Sequence, residues 1–305
     1  MARATPNHRP DEQLNLFAAE SGLLDVLSTR RFKKAPQDGN ESSWSFVAID
    51  EVGRGCLAGP LVVCATEWHS RDLTMSPESW VSDLKDSKKL SQQKREQLFA
   101  TLLAHLGSAW LCDELLVSSD TNKPMQLRAY EKKLRMPDQI HKFRHVEVRD
   151  IACGKPRFSM RRYFSMARAA IGSATAQEID TYGLSEALNL AALRALHKLG
   201  SRTNPELLFF DGNRPLKLDS TWSRIAQCLV TQGDDCLKTI SASSVLAKVV
   251  RDRWMDQYSA SFPNFGFSEN RGYGTLSHRN HLKKHGPTQL HRLSFLKNIC
   301  PAQLP

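Results

Sequence analysis

Short β-rich apolar runs and longer segments with helical spacing alternate along the chain after residue 44. Apolar and β-branched residues fill the short runs, and polar, glycine and proline residues bound them, which is typical of strands. The predicted strands are SFVAID at 45–50, LVVCATEW at 61–68, AWLCDELLV at 109–117, LLFFD at 207–211 and CLVTQ at 228–232. The glycine-rich EVGRGCLAGP between the first two predicts a tight connection.

Apolar residues three and four positions apart predict three longer helices and several short ones. The first helix spans 91–106 behind Ser91, a candidate N-cap, and the second spans 176–200. A third helix is predicted at 241–262, and short helices at 275–299. Because strands come first and then alternate with helices, the order predicts a layered α/β sheet.

Composition adds a basic balance to this picture. The 305 residues are 41% hydrophobic, enough for a sizeable core, and their net charge is +10, which suits a polyanionic partner such as nucleic acid. Basic residues with few acids between them concentrate near 118–165, among them Lys132, Lys133, Arg135, Lys142, Arg144, Arg149, Lys155, Arg157, Arg161 and Arg162. This segment is predicted to be a basic surface insertion, either a solvated decoration or a contact for nucleic acid.

Cysteine usage and the ends of the chain bear on the compartment. The seven cysteines include no C-x-x-C pair, which argues against a disulfide framework or a structural zinc site and favours a reducing cytoplasm. The polar stretch 1–43 is predicted to be a flexible arm without a secretory signal. No apolar run is long enough for a membrane span, so no membrane partner is expected.

Four acids stand at or just past predicted strand ends. Asp50 and Glu51 close the first strand, Asp211 closes LLFFD, and Asp234 follows CLVTQ. Acids in such positions reach the crevice at a sheet's edge, where crowded carboxylates repel unless cations lie between them. Hard oxygen ligands select Mg²⁺ or Mn²⁺, and two ions about 4 Å apart can support phosphodiester hydrolysis. The alternative for any single acid is that it caps a turn.

Several motifs, in order, resemble the ribonuclease HII family. They are AIDEVGRGCLAGPLVV from 48, DSKKLS at 86–91, FFDGN at 209–213, QGDDCLKTISASSVLAKVVRDR at 232–253, FPNFGFSENRGYGTLSH at 262–278 and HGPTQLHRLSF at 285–295. The resemblance implies an RNase H-like fold, with a five-stranded mixed sheet flanked by helices and a small helical C-terminal part near 263–297. It makes 44–297 the catalytic domain and 298–305 a tail.

The resemblance also implies the reaction. Members cleave the RNA strand of RNA–DNA hybrids and nick duplex DNA 5′ of single ribonucleotides, using divalent metal. Asp50, Glu51, Asp211 and Asp234 match the family's four catalytic acids, with Asp50 and Asp211 expected to contact both ions. Asp235 is one position out of register with the matching Gly-Asp, and it is not expected to be a ligand.

Two further matches imply substrate selection. Gly53, Arg54 and Gly55 match a Gly-Arg-Gly loop whose backbone can approach a ribose and bind its 2′-hydroxyl. Arg54 favours ribonuclease HII over ribonuclease HIII, in which this loop is altered. Tyr273 matches a tyrosine that packs on the neighbouring deoxyribose, although a buried core tyrosine is the alternative.

Lysines and histidines supply weaker candidates. Lys88, Lys89 and Lys248 are candidates for phosphate contacts, although Lys248 could equally be a plain helix-surface lysine. Asp252 lies between Arg251 and Arg253, where a solvated ion pair is expected. Three histidines have a helical spacing that suggests a metal site, which carboxylate chemistry does not need: His278, His281 and His285.

Four departures from the family pattern and two alternative functions remain. The arm before 44 and the insertion near 118–165 are expected to lie outside the family's usual compact core. QGD stands where Lys-Gly-Asp is common, and ENRGYGT replaces a more basic lead-in. These departures affect binding strength rather than the reaction. Another nuclease of the same fold, such as a junction resolvase or a hybrid-only ribonuclease H, is one alternative. The other is a non-catalytic scaffold that binds nucleic acid.

The arm contains one more motif. Gln13–Phe17 reads QLNLF, which resembles the peptide by which many bacterial repair proteins bind the sliding clamp. The alternatives are a chance match or an amphipathic helix packed on the core. A monomer is expected.

Overall fold

The computed structural model describes residues 45–71, 79–112, 145–148, 163–200, 205, 207–222 and 225–300. The predicted arm, most of the basic segment and the end of the tail lie outside the described residues. The six cysteines in the described part are free thiols. Within the same ranges, no helix is both long and apolar enough to cross a membrane.

A seven-stranded mixed sheet forms the centre of the fold, in the order β3-β5-β2-β1-β6-β7-β4. The strands are β1 Ser45–Val52, β2 Leu61–Arg71, β3 Trp110–Leu111, β4 His145–Val148, β5 Tyr163–Ala174, β6 Leu207–Asp211 and β7 Ala226–Val230. β2 is antiparallel to β1 and β5, whereas β1, β6, β7 and β4 run parallel. The mixed α/β sheet is thus confirmed. The strand predicted at 109–117 corresponds to the short β3, and β4 and β5 are additional to the five strands predicted.

Two strands correct the sequence interpretation. β4 lies within the segment predicted to be a surface insertion and pairs with β7. The twelve residues of β5, YFSMARAAIGSA, were not predicted to form a strand because small residues dominate them. Their smallness has a packing reason, since a Cβ on Gly172 would stand 2.1 Å from the carbonyl oxygen of Ala191 in the helix above.

Helices cover both faces of the sheet. They are α1 Gln92–Leu106, α2 Ala176–Tyr182, α3 Leu184–Leu199, α4 Gly233–Cys236, α5 Lys238–Ser261, α6 Phe267–Asn270, α7 Leu276–His285 and α8 Leu293–Leu296. Ser91 caps α1 as predicted, accepting a hydrogen bond from the Lys94 amide at 3.2 Å. The single helix predicted at 176–200 is two helices, because Gly183 (φ +80°) separates them.

The central strand β1 is buried on both faces. Phe46 and Ala48 pack in the cluster formed with α1 and α5, whereas Val47 and Ile49 pack in the cluster formed with α3. Such a strand needs a continuous apolar run, and the run ends at Asp50. The first charged side chains of β1 therefore emerge at its carboxyl end.

A candidate metal centre at the end of the parallel strands

Three aspartates meet at this end of the sheet. β1 and β6 are parallel with Ile49 opposite Phe210, so Asp50 and Asp211 follow side by side. Asp234 arrives from α4, just after β7. One carboxylate oxygen from each of Asp50, Asp211 and Asp234 lies within 4.8 Å of the others. The structure therefore brings together three of the four predicted acids.

The short turn before Asp234 is shaped by two residues. Gln232 adopts the left-handed conformation (φ +56°), and a Cβ on Gly233 would stand 2.6 Å from the Ile240 side chain. The Gly233 amide donates a hydrogen bond of 2.9 Å to the Asp211 carboxylate. The Gly233 amide thus orients Asp211, and the next residue, Asp234, adds its own carboxylate to the cluster.

Glu51, the fourth predicted acid, lies beside this cluster. Its Oε1 accepts a hydrogen bond of 3.1 Å from Arg54. Its Oε2 is buried and has no hydrogen-bond partner among the described residues. A buried carboxylate oxygen that accepts no hydrogen bond lowers the stability of the fold unless a cation binds to it. Glu51 Oε2 is therefore placed as a metal ligand would be.

Burial dominates the electrostatics of the four acids. It raises the pKa of Asp50 well above its ordinary value, and the nearby Glu51 and Asp211 charges raise it further. Burial likewise raises the pKa of Glu51 to about 7 and that of Asp234 to about 6, and it raises the pKa of Asp211. Four crowded carboxylates with raised pKa values favour a divalent cation, and an all-oxygen donor set fits Mg²⁺ or Mn²⁺.

Side chains that the sequence reasoning missed support the cluster. Ser244 on α5 forms a side-chain hydrogen bond with Asp50, and Ser87 holds the Ser244 hydroxyl at 2.9 Å. Asp86, which is buried, is hydrogen-bonded to Asp234. Asp86 and Ser87 belong to the DSKKLS motif, in which only the lysines were singled out.

The three lysine candidates differ in position. Lys88 lies at the cluster, with its Nζ 3.6 Å from Asp234 and its side chain 78% exposed. Burial alone would lower the pKa of Lys88, but the surrounding carboxylates, Asp234 first, raise it overall. Lys89 pairs instead with Asp235. Asp235 thus points to a lysine and not into the cluster.

Lys248 is not a plain surface lysine. Its Nζ lies 2.8 Å from Asp252, and both side chains are largely buried. The expected solvated ion pair of Asp252 is therefore wrong, because the partner is one helical turn away and the pair is packed. The same Nζ lies 6.0 Å from the centroid of the Tyr273 ring, so Lys248 supports the tyrosine.

The glycine loop lies beside the acids, and the connection that follows it is hydrogen-bonded to the turn that carries Tyr273. Gly53 needs to be glycine, because its φ is +91° and a Cβ would stand 2.9 Å from the Pro60 carbonyl oxygen. Gly55 has open space around it, and Arg54 reaches back to Glu51. Tyr273 is 41% exposed, so its ring presents a face to solvent rather than filling the core.

One histidine of the predicted face, His278, serves hydrogen bonding together with His291. The His278 Nδ1 lies 2.9 Å from the Tyr273 carbonyl and must donate to it, so its Nε2 is the acceptor. The Thr288 amide donates to His291 Nδ1, and His291 Nε2 therefore donates to His278 Nε2 at 3.0 Å. Burial lowers the pKa of His291 to about 3, which keeps the His278–His291 pair neutral. The neutral pair preserves the hydrogen bond from His278 to the Tyr273 carbonyl.

Comparison with known proteins agrees with this arrangement. The sequence model of the family described as "Ribonuclease HII" matches residues 47–152 and 160–298, so most of the basic segment aligns with the family. A ribonuclease HII of Synechococcus sp. (strain WH7803) is 34% identical over 84% of this chain and 96% of its own length. A ribonuclease HII of Alkaliphilus oremlandii is 28% identical over 85% of this chain and 94% of its own.

A solved structure is similar as well. The ribonuclease H2 of Pyrococcus horikoshii OT3 aligns over 85% of this chain and 98% of its own, with a TM-score of 0.48 and 18% identity. The family match covers most of the chain, including every residue of the acid cluster, the glycine loop and the tyrosine turn. This chain therefore belongs to the ribonuclease HII family, and it is a nuclease with an RNase H-like fold.

Proposed function

We propose that the protein cleaves the RNA strand of RNA–DNA hybrids and nicks duplex DNA 5′ of single embedded ribonucleotides. The observation that carries this proposal is the cluster of Asp50, Asp211 and Asp234 within 4.8 Å, with the glycine loop and an exposed tyrosine beside it. In this proposal the acids carry out the hydrolysis, and the glycine loop and Tyr273 select the position at which the strand is cut. Family membership supports the same reaction class.

The acids are proposed to hold two divalent ions, Mg²⁺ or Mn²⁺. Asp50 and Asp211, side by side on adjacent strands, would contact both ions, while Asp234 and the unpartnered oxygen of Glu51 would each contact one. Such ions activate water and stabilise the leaving 3′-oxygen of a phosphodiester. Ser244 and the Gly233 amide keep Asp50 and Asp211 in orientation before substrate binds.

Ribose selection is proposed to rest on the backbone of the glycine loop. The open space around Gly55 lets a sugar approach the main chain, where backbone groups can hydrogen-bond the 2′-hydroxyl. Tyr273 presents its ring on the deoxyribose side, where a flat aromatic face leaves no room for a 2′-hydroxyl. Together they define a junction with RNA on one side and DNA on the other.

Lys88 is the lysine best placed for a phosphate, because it is exposed and lies at the acids. Lys89 is exposed too, and it can exchange Asp235 for a phosphate. Lys248 acts through Tyr273 instead. The basic segment at 118–165 is proposed as a second duplex contact, and the QLNLF arm as a sliding-clamp ligand.

Three nucleic-acid substrates in Mg²⁺ test the proposal. They are a DNA duplex with one ribonucleotide, a continuous RNA–DNA hybrid and an all-DNA four-way junction. The expected result is a nick 5′ of the single ribonucleotide that leaves a 3′-hydroxyl, cleavage within the hybrid, and an intact junction. Cleavage of the hybrid alone indicates a hybrid-only ribonuclease H, junction cleavage indicates a resolvase, and binding without cleavage indicates a scaffold.

A further inference from the structure

Two arginines lie fully buried beneath the glycine loop and the turn that carries Tyr273. Arg251 on α5 and Arg292 before α8 both have 0% relative exposure. Within the described residues, all of their side-chain hydrogen bonds go to backbone carbonyls. A sequence pattern gives no warning of this, because arginine is ordinarily a surface residue.

Arg251 joins two separate stretches of backbone. Its Nε donates to the Pro60 carbonyl at 2.9 Å and its Nη2 to the Ala58 carbonyl at 3.1 Å, both at the far end of the glycine-loop connection. Its Nη1 donates at 2.8 Å to the carbonyl of Arg271, two residues before Tyr273. One guanidinium therefore spans both proposed substrate-reading elements.

Arg292 holds the same connection from the other side. Its Nη1 donates to the Arg54 carbonyl at 2.8 Å, and its Nε and Nη2 donate to the Gly59 carbonyl at 3.2 and 2.9 Å. Its own amide donates to the Leu57 carbonyl at 2.8 Å. The conformation of the residue between the two loop glycines thus depends on a buried side chain 238 positions away.

The segments approach closely where side chains are missing. A Cβ on Gly53 would stand 2.4 Å from Arg251 Nε, and a Cβ on Gly272 would stand 2.2 Å from the Ala58 carbonyl oxygen. Only glycine at both positions leaves room for the Arg251 guanidinium between the two segments. The loop, the arginine and the tyrosine turn form one tightly packed unit.

Burying a charge without a carboxylate partner is costly, and apolar residues of similar volume are often as stable or more so. Burial lowers the pKa of Arg292 to about 10, although the side chain stays charged at neutral pH. What the guanidinium offers in return is a planar fork of five donors, which can fix several carbonyls at set distances. The two arginines thus fix the relative positions of the backbone carbonyls at a cost in stability.

We propose that Arg251 and Arg292 are positioning residues that set the spacing between the ribose-reading glycine loop and the deoxyribose-reading Tyr273. This inference rests on the proposed function, and it adds which residues determine the selection of a DNA–RNA junction. A continuous hybrid needs only the loop, whereas a single ribonucleotide in DNA needs both elements at the correct separation.

Lysine substitutions separate positioning from charge. Arg251→Lys and Arg292→Lys keep a cation, but the three donors of an ammonium sit on one nitrogen, which cannot reach all the carbonyls that Nε, Nη1 and Nη2 of a guanidinium contact. Since a displacement of about 1 Å can cost about a hundredfold, we expect kcat/KM for the single-ribonucleotide duplex to fall about tenfold more than kcat/KM for the hybrid. Most of this decrease should appear in KM, because the acids and their ions are untouched.

Arg194→Lys is the matched control. Arg194 is also a buried arginine, but it belongs to α3 and pairs with Glu178 at 2.7 Å. Its substitution should lower Tm and leave the substrate ratio unchanged. Equal losses on both substrates, or an unchanged ratio, in folded Arg251 and Arg292 variants would overturn the inference. A wild-type protein that fails to nick the single-ribonucleotide duplex would refute the proposed function instead.

Hydrogen exchange covers the case in which the lysine variants do not fold. The Asp50→Asn protein, expected to bind without cutting, is mixed with the single-ribonucleotide duplex. The amides of Leu57, Ala58 and Gly59, which are bonded to Gly272 and Leu290, should gain protection together with the Tyr273 turn. Protection of one element without the other would show that the two are not held as a unit.

Discussion

The Leu57 amide donates a hydrogen bond of 2.8 Å to the carbonyl of Gly272, next to Tyr273 in the chain. This bond joins the connection that follows the glycine loop to the turn that presents the tyrosine, across more than 200 positions of sequence. A ring placed by that turn is held relative to the loop and hence to the acids. Substitution of Tyr273 should therefore change the preference between substrates without an equal change in the stability of the protein.

Tyr273→Ala should slow cleavage of the single-ribonucleotide duplex more than cleavage of a continuous hybrid. The ring is asked to contact only the deoxyribose side, and its removal costs about 1–3 kcal/mol if it stacks like other aromatic contacts to nucleic acid. Initial rates on both substrates measure the difference. Tyr273→Phe should behave nearly as the wild type, and Tyr182→Ala, which removes another exposed tyrosine, is the surface control. Equal losses on both substrates would make Tyr273 structural.

Metal should stabilise the protein more at alkaline than at acidic pH. The folded-state pKa values of Glu51 and Asp234, about 7 and about 6, exceed the ordinary values of 4.5 and 3.8. Across that window the metal-free folded state binds more protons than the unfolded state, so its free energy of unfolding falls as pH rises. A divalent ion removes the repulsion between the ionised acids.

Thermal melting with EDTA or with Mn²⁺ at pH 5.5 and at pH 8 tests this dependence. The rise in Tm caused by Mn²⁺ should be larger at pH 8, and Asp211→Asn should shrink it. The lowered pKa values of His278 and His291 give the opposite trend, with stability lost as pH falls below about 6.5, but they affect both samples at each pH. An equal rise at both pH values contradicts a site built from these acids.

The basic segment should set the salt dependence of binding. Replacing Lys132, Lys133 and Arg135 with Gln leaves β4 in place and removes three charges. For every phosphate that the protein no longer neutralises, the slope of log K against log salt should change by about 0.9. Titrations of a labelled duplex at several salt concentrations give the slope. An unchanged slope leaves these residues without a role in duplex binding.

The QLNLF arm should bind a bacterial sliding clamp with modest affinity. Leu14, Leu16 and Phe17 are apolar residues in a polar stretch of sequence, and a short peptide loses conformational entropy when it binds. A peptide covering 9–20 is titrated against a clamp beside a Gln13→Ala, Phe17→Ala version. Binding by the first peptide alone is expected. Indistinguishable titrations would remove the clamp proposal without affecting the nuclease.

The acids could be predicted from the sequence because the end of a strand is visible in the local sequence, where an apolar run stops. Asp50 and Asp211 directly follow apolar runs, and parallel pairing of those runs places them side by side. β5 could not be predicted in this way, because Gly172 and its small neighbours are selected by contact with α3 rather than by strand propensity.

Long-range polar contacts were also beyond the sequence pattern. Ser244 and Ser87 meet across 157 positions, and a pattern of single residues does not encode such a pair. The burial of Arg251 and Arg292 is the same kind of fact, since it depends on carbonyls that distant turns contribute. Family motifs located these residues without indicating what they contact.

Cleavage of a single-ribonucleotide duplex by a matched set of aspartate variants tests the central claim most directly. Asp50→Asn and Asp234→Asn each remove a proposed metal ligand, whereas Asp235→Asn removes only the partner of Lys89. In Mg²⁺ the first two should be at least about a hundredfold slower than wild type while still binding the duplex, since removal of a ligand takes away several kcal/mol of transition-state stabilisation. Asp235→Asn should cleave at nearly the wild-type rate. Near wild-type rates for Asp50→Asn or Asp234→Asn would contradict the assignment of the metal centre.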